Sequence, residues 1–232
     1  MAKSFPNTGA TVIDTSADLP AASGALEGVM MFQKDTNELK ICDGSSWISI
    51  LDTDTPPAMV LMQPTSVSGC TNTGGNISYS ATTNMTVNGV FTSAYENYVI
   101  EHYIFTSSAS VTNGVFVLTA SGTPNTASYY ERMWYNQPSA GFTTTAANNV
   151  AALSWMFYGG NVGGGGRVNI YRPAMTYNTT FNWAQTSWNT TDNITTNGGG
   201  LHYSNSAYDG FKITSGTAFS GNLRVYGIRN NV

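Results

Sequence analysis

The sequence predicts an all-β fold, with a small N-terminal β-hairpin segment followed by an antiparallel, jelly-roll-like β-sandwich. Three observations predict it. Short apolar or alternating runs recur along most of the chain, each bounded by Gly, Pro, Asn or Asp. No long window carries a helical period, and the Ala-, Glu-, Lys- and Leu-rich composition of helices is absent. Thirteen Tyr, ten Phe and five Trp supply material for a core, while charged residues are only 9% of the chain.

Taken in order, residues 1–25 show no sustained period. Val12 and Ile13 are a brief apolar pair, Pro6 and Pro20 interrupt the rest, and the segment reads as an extended arm. Val29, Met30, Met31 and Phe32 then form an apolar run, and Lys34 to Asn37 supply turn chemistry. Leu39 and Ile41 alternate with Glu38, Lys40 and Cys42 as a half-buried strand should, which makes a hairpin. Asp43-Gly44 reverses the chain again into Trp47, Ile48 and Ile50. The organisation expected is an arm and hairpin over 1–55, a linker over 56–64 marked by Pro56-Pro57, and a sandwich over 65–232.

Within the sandwich, 77–80 and 85–87 are short strands before the turn Asn88-Gly89. The strongest strand is 98–105, with Tyr98, Ile100, His102 and Ile104 on one face and Val99, Glu101, Tyr103 and Phe105 on the other. The run 115–120 is continuously apolar, as suits a strand covered on both faces, and it is expected to pair with 98–105 as a hairpin. Further strands are expected at 129–135, 151–158, 167–172, 181–186, 201–203, 210–214 and 222–229. The glycine-rich stretches 159–166 and 198–200 read as loops.

The spacing of Gly28, Asn37, Leu39, Ile41, Asp43, Gly44 and Trp47 resembles hairpins found in the tail fibres and other virion appendages of tailed bacteriophages. Val87 to Tyr98, VNGVFTSAYENY, and the closing SGNLRVYGIRN are similar to β-sandwich heads of phage and cyanophage structural proteins. The resemblance implies a virion protein assembled in the host cytoplasm, homotrimeric, of tail-fibre type. Its hairpin residues Val29, Phe32, Leu39, Ile41 and Trp47 would dock on other virion proteins, and its head would contribute to attachment at the host surface through a cell-surface glycan or protein. A capsid decoration or head-fibre protein of the same fold is the alternative, and a free lectin-like glycan-binding module is another.

Composition narrows the classes. A net charge of −4 with nine scattered Lys and Arg argues against nucleic acid, whose phosphates call for clustered cations. No stretch approaches the ~20 apolar residues of a membrane span, and the N-terminal sequence lacks the apolar core of a signal peptide. Cys42 and Cys70 are expected as reduced thiols; with only His102 and His202 beside them, no metal-ligand spacing exists and no cofactor is implied.

No catalytic constellation stands out. The run 159–166 lacks the G-K-[ST] ending of a phosphate loop. His102 lies mid-strand without an evident nucleophile, and Glu96, Glu101, Glu131, Asp192 and Asp209 show no spacing that marks a glycosidase pair. The expectation is therefore binding rather than catalysis. The segment 177–193 carries the best ligand candidates, Tyr177, Trp183, Trp188 and Asn189, because indoles stack on sugar rings while amides bond their hydroxyls. The competing reading sends Phe181 and Trp183 into the core and Trp188 to a subunit contact.

Overall fold

A computed structural model describes residues 11–13, 15–51, 58–106, 112–139, 141–188 and 192–228. The chain divides into two compact units, Met1–Pro57 and Ala58–Val232.

The first unit is a four-stranded sheet of β1 (Thr11–Ile13), β2 (Met30–Gln33), β3 (Glu38–Cys42) and β4 (Trp47–Leu51), in that order. The expected hairpin forms, with Phe32 opposite Leu39 and Met30 opposite Ile41, and Asn37 takes the positive φ that closes its turn. At the next reversal the Asp43 carboxylate accepts the N–H groups of Ser45 and Ser46, and these bonds hold its pKa down at about 2. The arm needs correction. Thr11–Ile13 is a strand that pairs in parallel with β2, because Val12 and Ile13 continue the apolar pattern of the sheet. Residues 15–28 fold back as well: the Asp18 carboxylate accepts the Thr15 N–H, and the Trp47 indole donates to the Pro20 carbonyl at 2.8 Å. Residues 1–10 lie outside the described residues.

The second unit begins with β5 (Met59–Leu61), β6 (Ser66–Ser68), β7 (Thr71–Thr73), β8 (Asn76–Asn88), β9 (Asn97–Thr106), β10 (Thr112–Ala120) and β11 (Thr123–Pro124). It continues through β12 (Tyr129–Gln137), β13 (Gly141–Val150), β14 (Leu153–Gly159), β15 (Gly163–Tyr171), β16 (Thr179–Trp188), β17 (Asn193–His202) and β18 (Gly210–Ile228). The unit is an antiparallel β-sandwich, and no α-helix occurs among the described residues. Met59–Leu61, within the expected linker, pairs with β18; Pro56-Pro57 lies outside the described residues.

One layer runs β18-β9-β15-β16-β17-β12-β13. The other contains β8, the first part of β18, β10 and β14. The two segments expected at 210–214 and 222–229 are one strand of 19 residues whose first part pairs with β10 and whose second part pairs with β9. Therefore β9 and β10 do not form the expected hairpin: β18 bonds to both and carries the chain from one layer to the other. Between the layers Phe116 meets Phe181 edge-on at 5.8 Å and Phe157 packs on the His102 ring at 4.6 Å. Ile100, Leu118, Leu153, Val168, Phe211 and Leu223 close the core around them. Burial of this kind contributes roughly 25 cal/mol per Å² of apolar surface.

The glycine-rich runs lie mostly in strands: of the loop expected at 159–166 only residues 160–162 connect β14 to β15, and 198–200 are strand throughout. Gly164 to Gly166 pair with both β9 and β16, Gly163 pairs with β16, and Gly198 to Gly200 pair with both β16 and β12. At Gly198 an added methyl would overlap the Trp183 ring, so the glycine lets the indole lie flat across the neighbouring strand.

Candidate functional site on the outer sheet face

Strand β16 alternates strictly between buried and exposed residues. Phe181, Trp183, Gln185 and Ser187 point inward, while Asn182, Ala184, Thr186 and Trp188 point out. Trp183 is accordingly 3% exposed and belongs to the core, whereas Trp188 is 49% exposed on the opposite face. The two indoles cannot form one stacking platform. Tyr177, 60% exposed, lies between β15 and β16 with the Arg172 guanidinium 5.9 Å from its ring centre. Asn189 lies outside the described residues.

The outward face builds a site that the sequence did not announce. In one row across five strands, Thr144, Trp134, Asn197, Ala184 and Arg167 stand side by side. The next row is Ala146, Arg132, Gly199, Asn182 and Asn169. Rows of one face lie about 7 Å apart and strands about 4.8 Å, so the small residues Ala184, Gly199 and Ala146 leave a hollow between larger neighbours. These residues line an open groove of about 910 Å³. Trp134 is 38% exposed and stacks on Phe142 at 5.5 Å. Asn169 donates to the Asn182 side-chain oxygen, and Arg167 is held by Glu101 at 2.7 Å. An indole beside amides, a hydroxyl and guanidinium groups is the equipment that grips a sugar ring by its apolar face and its hydroxyls.

The carboxylates raised for glycoside cleavage do not converge. Glu101 is on the outer face with Arg167, but Glu131 is buried inside and accepts the Ser154 N–H at 2.7 Å. Burial raises the Glu131 pKa, and its partner explains its place: β14 pairs with β10 on one edge, and inward side chains satisfy backbone groups along it. Gln185 does the same, accepting from the Tyr158 N–H and donating to the Trp155 carbonyl. Asp192 accepts from Gln137 and Ser139, and Asp209 from the Ser121 N–H. His102 sits in the core, where burial lowers its pKa to about 4 against a smaller opposing effect of the Met156 backbone.

In the N-terminal unit the five hairpin residues do not share one face. Phe32, Leu39 and Ile41 lie together with Val12, Met30 and Ile48, and Val12, Met30, Ile48 and Ile50 are largely exposed. Trp47 faces the other way, beneath the Pro20 segment, next to the fully buried Cys42. Val29 precedes β2 and its carbonyl accepts the Cys42 N–H. Cys42 and Cys70 are both free thiols.

No family model matches the chain, and no curated protein matches it. Among solved structures it is similar to the CBM2 module of the evolved Dit protein of Lactobacillus casei BL23 phage J-1. That likeness has 10% identity and a TM-score of 0.26, and covers 78% of this chain and 94% of the module. A likeness at that level fixes neither topology nor function.

Proposed function

We propose that this chain is an attachment protein of a tailed-phage virion, of tail-fibre type and homotrimeric, whose sandwich binds a saccharide on its outer sheet face. The supporting observation is the groove that Trp134 lines. An indole more than a third exposed, in a groove also lined by Asn182, Asn197, Thr144 and two arginines, serves no packing purpose in the core. Several such heads on one particle turn weak surface recognition into firm attachment by avidity. The N-terminal unit supplies the docking surface, an apolar face of Phe32, Leu39 and Ile41 bordered by exposed Val12, Met30 and Ile48. Trp47 supports that face from behind.

The test is a saccharide array with the full chain and its Trp134→Ala variant. Loss of a stacking indole is expected to weaken binding by about tenfold or more while leaving the fold intact. Unchanged binding by the variant would remove Trp134 from the site. Gold labelling of virions with antibody to the head reports location: label on tails fits the proposal, and label confined to capsid faces overturns its tail-fibre part.

A further inference from the structure

The groove is more positive than the chain that holds it. The net charge is −4, yet among the described residues the outward positions of the layer β18-β9-β15-β16-β17-β12-β13 carry Arg132, Arg167 and Arg224 against one carboxylate, Glu101. Glu101 stands directly between Arg167 and Arg224 in the sheet and is bonded to the former. Arg132 is four strands away from it across β17, β16 and β15. That separation is about 19 Å, well beyond a Debye length of about 8 Å at physiological salt. Among the described residues, no Asp or Glu lines the groove. Arg132 is exposed there, two residues from Trp134 on the same face of β12.

We infer that the groove takes an acidic saccharide, its ring on the Trp134 indole and its carboxylate or phosphate on the Arg132 guanidinium. The inference rests on the saccharide-binding reading above. Alternate residues of a strand are about 7 Å apart, a reach that lets one ring lie on the indole while its charged substituent meets the neighbouring fork. The fork matches a carboxylate or a phosphate with two parallel N–H···O bonds, and such charge-assisted bonds are about twice as strong as neutral ones.

Titration of the full chain with three probes tests it: a hexuronic-acid oligosaccharide, a neutral hexose oligosaccharide of matched linkage, and the same neutral oligosaccharide bearing a phosphate. At low salt one acidic probe is expected to bind about tenfold tighter than the neutral one, with the gap narrowing as salt rises. Whichever of the two is tighter identifies the anion. Arg132→Gln is expected to bring acidic probes down to the neutral level and to leave the neutral probe within about twofold. Equal binding of all three probes, or an acidic preference that survives Arg132→Gln, overturns this inference and leaves the saccharide site standing. Absence of binding to every probe overturns the saccharide reading together with it.

Discussion

The two faces of one strand obey different rules in this molecule. Along β16 the inward residues Phe181, Trp183, Gln185 and Ser187 each have a task inside the sandwich: apolar rings fill the core, and the polar pair satisfies the β14 backbone and the Gly160 N–H. The outward residues Asn182, Ala184, Thr186 and Trp188 have no such task, and their choice is open to function. Burial therefore separates the tryptophans more sharply than sequence proximity does. Trp183 and Trp188 are neighbours in the chain and strangers in space, while Trp134 and Ala184 share a surface from strands far apart in sequence.

Truncating one indole on each face separates the two roles most directly. Trp183→Ala removes a core ring that spans Gly198, and it is expected to lower unfolding free energy by about 3–5 kcal/mol in urea titration. The same truncation at Trp134, which gives up the stacking on Phe142 and no core contact, is expected to lower stability by only about 1 kcal/mol and to act mainly on binding. Equal losses at the two positions would show that the outer face is structural after all.

A second difference between the faces is their response to acid. His102 points inward and its folded-state pKa is depressed to about 4 from an ordinary 6.5. Between those values the unfolded chain binds the proton and the folded chain does not, so stability is present above 6.5 and falls as pH drops toward 4. The shift corresponds to a loss on the order of 3 kcal/mol. Stability measured from pH 7 to pH 4 is expected to fall less steeply in His102→Leu than in the parent chain. Parallel profiles would place His102 in contact with water.

What the sequence made legible follows from the same division. Residues 98–105 and 181–186 were readable because one face of each is packed and the other solvated, which writes period two into the chain. The hairpin of β2 and β3 was readable from its turn chemistry. Strand β13 was not, because none of its residues is fully buried and packing left no pattern on Gly141 to Val150. Gly163 to Gly166 and Gly198 to Gly200 looked like loops because the reason for most of these glycines is a side chain on another strand, such as the Trp183 ring over Gly198, while Gly165 and Gly199 lie nearest to backbone oxygens. The groove escaped for a related reason. Trp134, Asn197, Ala184 and Arg167 are brought together by strand register alone, and no single segment carries more than a fragment of the site.

Position along the strand matters within the outer face too. Trp188 is exposed on the same side as Ala184, but four residues further along β16, about 13 Å away at the usual rise of a strand. It borders Val162, whose N–H donates to the Trp188 carbonyl, and is absent from the groove lining. Trp188→Ala is therefore expected to shift stability by less than about 0.5 kcal/mol and to leave the affinity for a mono- or disaccharide within about twofold. A longer chain that crosses several rows would feel the change, so comparing disaccharide with hexasaccharide binding in this variant measures how far along β16 the ligand extends. Loss of disaccharide binding would move the site away from Trp134 and toward the end of the strand.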